Sequence, residues 1–200
     1  MAQVSSDDKQ QRPSRKRHIL ECLARELEGH PGEKITTAGL ARAVGVTEAA
    51  LYRHFPSKAR MYEGLIEFIE DSVFGLITKI LDEETDAMTR CEKIMRMLLG
   101  FAERNPGMTR ILAGDALVGE NPRLRTRTGQ FFDRIETQFK QILREGEMRG
   151  EGTGNTVQIS ANLMLVVIEG KFHQFVRSEF SRSPLMNWDN QWALLRSSFS

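Results

Sequence analysis

The sequence predicts an all-α fold, with a three-helix unit at the N-terminal end and a longer helical body behind it. Two observations carry that expectation. Apolar residues recur at three- and four-residue spacing through one stretch after another, the period of a helix with a buried face. The stretches open on Ser, Thr or Asn-Pro and close on Gly or Pro, as helices do. Nothing reads as a strand, and no internal repeat is present.

Residues 1–13 are polar, and Pro13 breaks any early helix. They are expected to form a mobile basic arm. Lys9, Arg12, Arg15, Lys16 and Arg17 place five positive charges between positions 9 and 17 with no acid among them. Such a run is either a solvated tail or an arm reaching phosphate or the minor groove of a duplex; beside the motif that follows, the second reading is preferred. Ser14 can cap a first helix running to about Leu27, with Ile19, Leu20, Leu23, Ala24 and Leu27 as its apolar stripe. Gly29-His30-Pro31-Gly32 ends it.

The stretch from Ile35 to Glu67 reads as a helix-turn-helix opening onto a long helix. Thr36 or Thr37 caps the first of its helices by accepting an orphan backbone N–H. Leu40, Ala41 and Val44 share a face. Gly45 ends this helix, because the tight turn asks for positive φ. Val46 plugs the turn, Thr47 caps a short helix from Glu48 to Phe55, Pro56 stops it and Ser57 caps the next. Two short helices on a glycine turn are the unit that lays a helix in the major groove. The outward face of the second helix carries Thr47, Glu48, Ala49, Tyr52, Arg53 and His54, while Ala50, Leu51 and Phe55 point inward. Thr47 can bond a base edge and the Ala49 methyl can touch thymine. Tyr52, His54 and Lys58 are placed to meet phosphates. A plain αα-hairpin would need only the glycine; the small residues, the Tyr-Arg-His-Phe-Pro end and the following Ser-Lys favour the DNA-reading unit.

The fourth helix, Ser57 to about Asp82, has the seam Met61, Leu65, Phe68, Ile69, Val73, Leu76, Ile80 and Leu81, and is long enough to join the unit rigidly to the body. Residues 82–86 are acidic and expected to be exposed. The fifth spans about Ala87 to Arg104, with Ile94, Met95, Met97, Leu98, Leu99 and Phe101 apolar; Asn105-Pro106-Gly107 stops it. The sixth covers about Met108 to Val118. Asn121-Pro122 opens the seventh, about 122–148, with the seam Leu124, Phe131, Phe132, Ile135, Phe139, Ile142 and Leu143. Its Arg123, Arg125, Arg127, Arg134, Lys140 and Arg144 read as a solvated face rather than a second DNA site. Residues 145–156 read as the one flexible loop. The eighth helix, about Val157 to Phe180, is apolar on more than one face and so must be buried, which suggests a subunit interface. Ser183-Pro184 separates it from a last helix, Trp188 to Phe199. Two antiparallel helices from each subunit would make a four-helix bundle, hence a homodimer.

Composition narrows the chemistry. The formal net charge is +1, but residues 1–60 hold 11 Lys/Arg against 7 Asp/Glu and the other 140 hold 17 against 20. A basic end on a mildly acidic body suits nucleic-acid contacts confined to one end. Cys22 and Cys91 fall among apolar helix positions and read as small buried hydrophobes in a reducing compartment, not as a zinc site or disulfide. No apolar run reaches a membrane span, so a cytoplasmic protein with no membrane contact is expected. No phosphate-cradling glycine loop, nucleophile elbow or paired metal-ligand spacing is present, so neither enzyme chemistry nor a cofactor is expected. His18, His30, His54 and His173 are scattered, and His173 reads as a packed histidine.

Residues 35–67 resemble the DNA-binding region of TetR-type transcription regulators. Together, ITTAGLARAVGVTEAALYRHFPSKARMYEGLIEFIEDS at 35–72, LLGFAERNPGMTRIL at 98–112 and FVRSEF at 175–180 narrow the resemblance to the nucleoid occlusion factors of that family, over nearly the whole chain. The resemblance implies a TetR-like arrangement: a basic arm at 1–13, a DNA-binding head at 14–56, and a body at 57–200 for dimerisation and partner binding. It implies dimers, single or paired, on palindromic chromosomal sites of double-stranded DNA, at the nucleoid. It also implies binding of the C-terminal tail of the tubulin-like division protein FtsZ, so that ring assembly is blocked. The family's tail-binding groove maps to Phe68, Met97, Gly100, Arg104 and Asn105. Leu76 stands where an arginine is expected. Phe68 and Met97 also fit plain packing between the fourth and fifth helices. The alternative is a ligand-responsive repressor, with Met95, Phe101, Phe132 and Phe172 lining a pocket; those four read more simply as core.

Overall fold

A computed structural model describes residues 14–151 and 156–199; the N-terminal arm with Lys9 and Arg12 lies outside them. Among the described residues the chain is helical, without strands: α1 (Arg15–Gly29), α2 (Thr37–Val44), α3 (Glu48–His54), α4 (Lys58–Glu83), α5 (Ala87–Arg104), α6 (Pro106–Leu112), a 3-10 turn (Asp115–Leu117), α7 (Pro122–Met148), α8 (Val157–Arg177) and α9 (Trp188–Ser197). Short polar side chains start most of them. Ser14, Thr36, Thr47, Ser57 and Asp86 each accept the backbone N–H three residues on, at 3.3, 3.0, 3.2, 3.2 and 2.7 Å.

One apolar core runs through the chain, and α4 is its spine: Met61, Leu65, Ile66, Ile69, Val73 and Ile77 are buried along its length. α5 and α7 pack on α4, and α8 packs on both. The head is fastened to the body by α6 as well as by α4. Every residue of α6 after Pro106 is buried, and the helix lies across α1. Gly107 allows the approach, since a Cβ there would sit 2.0 Å from the Ala24 carbonyl oxygen. Arg110 completes the joint. Only 2% exposed, it donates to the carbonyls of Leu27 and His30 at 2.7 Å each and to Asp115 at 2.6 Å. It thereby satisfies orphan acceptors where α1 ends.

The structure departs from the sequence reading at several points. Leu76 is exposed and Ile77 is buried in its place, because α4 steps four residues from Val73 along its buried face. Glu84 and Asp86, expected in solvent, are half-buried; Asp86 caps α5 and Glu84 pairs with Lys93 at 2.9 Å. α6 ends at Leu112, not Val118, because Gly114 turns the chain at φ 77°. Residues 145–148 are helical, and Glu151 accepts from Ala87 N at 3.0 Å, so the start of the expected loop is an anchor for α5. Residues 152–155 lie outside the described residues. α8 stops at Arg177, where Glu179 and Phe180 adopt positive φ and the Phe180 ring turns back to 5.3 Å from Phe175. His173 is exposed rather than packed. No helix among the described residues is long and apolar enough to cross a membrane.

Candidate nucleic-acid interface

The helix-turn-helix is built by local signals. Thr36, not Thr37, is the cap of α2, accepting from Gly39 N at 3.0 Å. Gly45 takes φ 74°, and its N–H closes on Arg42 O at 3.1 Å. The next N–H, from Val46, reaches back to Ala41 O at 2.9 Å. That is the left-handed helix end glycine allows. Thr47 then caps α3, and Leu51 is its fully buried anchor. The turn thus holds α3 with Thr47, Glu48, Ala49, Tyr52 and Arg53 exposed and His54 half-buried. Ala50, expected inward, is half-buried, because the seven-residue helix rests mainly on Leu51.

Besides the capping threonines, three further expected contact residues carry internal bonds. Glu48 accepts from Thr37 Oγ1 at 2.8 Å, a bond that links α3 to α2. Lys58, at the start of α4, pairs with Glu120 at 2.5 Å and lies 5.6 Å from the Tyr62 ring. Burial, then the charge of Glu120, pushes the Tyr62 phenol well above its ordinary range, so it stays protonated. Arg17 pairs with Glu21 at 3.0 Å, and its guanidinium also lies 5.7 Å from the Phe68 ring. Arg15 is exposed at the first position of α1.

The second candidate set lies on α4 and α5, which pack together. Phe68 and Met97 are half-buried against the core, Gly100 is buried, and Arg104 is exposed at the end of α5. Arg104 folds back over Gly100, its Nη1 3.3 Å from where a Cβ would sit. Asn105 donates to Phe101 O at 2.8 Å and closes the helix. By contrast Met95, Phe101, Phe132 and Phe172 are all members of the packed core. Cys91 is buried too, and desolvation pushes its thiol up to about 12, which leaves it inert at neutral pH.

A third surface belongs to α8 and α9. Ile159, Val166 and Leu194 are 61%, 52% and 72% exposed, beside an open groove of about 610 Å³ between the two helices. Arg110 and Glu120 were not singled out by the sequence. The one signal for Arg110 was its place inside MTRIL, where apolar residues on both sides leave a short helix no solvent face.

Comparison with known proteins agrees with this geometry. Residues 19–65 match the bacterial regulatory proteins of the tetR family, and residues 85–200 match the SlmA-like tetracyclin repressor-like C-terminal domain. The chain is 57% identical over 184 residues to the nucleoid occlusion factor SlmA of Shewanella denitrificans, covering 92% of this chain and 93% of that protein. SlmA of Shewanella amazonensis matches to the same extent. Among solved structures, a TetR transcription regulator from Haloarcula marismortui superposes with TM-score 0.78 at 17% identity, over 92% of this chain and 97% of that one. The regulator FadR from Bacillus subtilis, solved in complex with stearoyl-CoA, gives 0.74 at 14% identity, over 92% and 98%. These two share the fold.

Proposed function

The chain belongs to the SlmA family of TetR-type regulators, and from that membership we propose that it is a nucleoid occlusion factor: a dimer that reads chromosomal DNA through α3 and, on DNA, binds the C-terminal tail of FtsZ and blocks division-ring assembly. The observation that carries the reading is the likeness to nucleoid occlusion factors over 92% of the chain, head and body together. Thr47, Ala49, Tyr52 and Arg53 meet the duplex from α3, joined by Glu48, His54, Lys58, Arg15 and Arg17. Thr36 presents the N-terminus of α2 to a phosphate. The exposed apolar face of α8 and α9 is the dimer seam, and dimers pair on one palindromic site. The FtsZ tail lies along α4 and α5, with Phe68 and Met97 as apolar floor, Gly100 allowing close approach, Arg104 pairing a carboxylate and Asn105 at the end of the groove. The close packing of Met95, Phe101, Phe132 and Phe172 supports a body that binds a protein tail rather than an enclosed ligand.

The deciding experiment is binding of a labelled FtsZ C-terminal peptide with and without a tight-binding duplex, at stated salt. Saturable binding that is lost in Arg104→Ala, with DNA affinity unchanged, is the expected result. Absence of peptide binding with or without DNA would leave a TetR-type DNA binder of another purpose. Thr36→Ala removes the α2 cap, worth about 1 kcal/mol, and is expected to weaken DNA binding several-fold. Equal affinities for Thr36→Ala and wild type at one salt concentration would remove Thr36 from the interface.

A further inference from the structure

The first turn of α7 stands at the same end of the molecule as the helix-turn-helix. α4 and α7 run parallel, with two hollows between them. At one end Arg60 and Glu67 face Arg123 and Arg127; at the other, Phe74 faces Arg134 and Gln141. One ion pair pins the head end. Glu120, two residues before α7, holds Lys58 at 2.5 Å. The Lys34 ammonium, from the connection between α1 and α2, lies 2.8 Å from where a Cβ on Gly119 would be. The joint made by Gly107 and Arg110 fixes the other end of the segment that links α6 to α7.

From Pro122 to Phe132 the chain holds three arginines and no acid. The neighbouring cations are matched: Arg127 pairs with Glu70 at 2.5 Å, Arg60 with Glu63 at 2.6 Å and Lys140 with Glu136 at 3.0 Å. Arg134 stacks on Phe74 at 3.6 Å. Arg123 and Arg125 are exposed, and neither forms an ion pair among the described residues. Arg144 at the far end of α7 has no ion pair among the described residues either, but it sits between Glu136 and Glu145, whereas no acid of α7 shares the first turns with Arg123 and Arg125. We propose that Arg123 and Arg125 form a second phosphate contact with the duplex held by α3. The inference rests on the DNA-binding reading above. Their guanidiniums donate to phosphate oxygens beside the bases α3 reads, so they add affinity and position without sequence information.

Each phosphate contact steepens the salt dependence of binding by about 0.9 in log–log slope. The test is fluorescence anisotropy from about 50 to about 200 mM salt, on a duplex enriched from a random pool by the wild-type protein and on a scrambled duplex of equal length. Across that range the wild-type dimer, which brings two such arginines from each subunit, is expected to lose on the order of a hundredfold more affinity than R123Q/R125Q. The affinity loss in the variant should be the same factor on both duplexes. R144Q, which removes an exposed charge at the far end of α7, should keep the wild-type slope. A wild-type slope in R123Q/R125Q, or an equal drop in R144Q, overturns the contact. A wild-type protein that enriches no duplex overturns the DNA-binding reading itself, before any variant is compared. Unchanged melting of both variants establishes that the fold is intact.

Discussion

Replacing Arg110 with alanine is expected to lower the thermal midpoint by about 6–20 °C. The reasoning begins with burial. Arg110 is 2% exposed, and its guanidinium is the partner of the Leu27 and His30 carbonyls and of the Asp115 carboxylate. Truncation leaves two carbonyls and a carboxylate without their donor, and opens a cavity between α1 and α6. Removing one member of a buried charged network costs about 3–5 kcal/mol, and each kilocalorie shifts the midpoint of a chain this long by about 2–4 °C. Arg110→Met keeps most of the volume and isolates the polar part; it should recover only the cavity share. A midpoint within about 2 °C of wild type for both would mean the carbonyls find water and the joint is not held by Arg110.

Gly107→Ala is the second large effect, and it runs against propensity. Alanine in place of a helical glycine normally stabilises by about 0.5–1 kcal/mol. At Gly107 the new Cβ meets the Ala24 carbonyl at 2.0 Å and the Glu28 nitrogen at 3.0 Å, both main-chain atoms that cannot rotate away. α6 must lift off α1, at a cost of about 1–3 kcal/mol or more. Gly75 in α4 is the control, since nothing lies within 4 Å of its Cβ position. Chemical denaturation of the pair should show Gly75→Ala at or above wild type and Gly107→Ala well below. If both move the same way, the close approach is not what sets stability there. DNA affinity should fall in Gly107→Ala as well, because α1 carries the back of the reading head.

What the sequence disclosed was the local part. The caps Ser14, Thr47 and Ser57, the turn at Gly45 and the seam of α7 each depend on neighbours within a few residues, and those neighbours are legible in order along the chain. The sequence does not choose between Thr36 and Thr37, because both carry a hydroxyl one residue apart; the backbone decides it, with Thr36 extended and Thr37 already helical. Leu76 was misplaced for a related reason. Leu76 and Ile77 are adjacent aliphatics, and periodicity does not say which one a helix flanked on two sides will turn inward. The α1–α6 joint was hidden more deeply. An arginine in a helix reads as surface until its acceptors are known, and those acceptors lie 83 and 80 residues earlier. The sequence hides the end of α8, because Phe180 continues the apolar pattern while the backbone has already turned. The candidate residues on α3 were legible as a face; the internal bonds of Glu48 and Lys58 were not.

The same joint sets an order in time. α1 leaves the ribosome early, but the helix that covers it carries Arg110, 83 residues after Leu27. At roughly 5–20 residues per second that gap lasts about 4–17 s. Through that interval Ile19, Leu23 and Leu27 have α2, α3 and the head end of α4 to rest on, but not α6. The DNA-reading head is thus translated first and finished late, and a chain truncated before α6 would present the motif intact in sequence with its back uncovered.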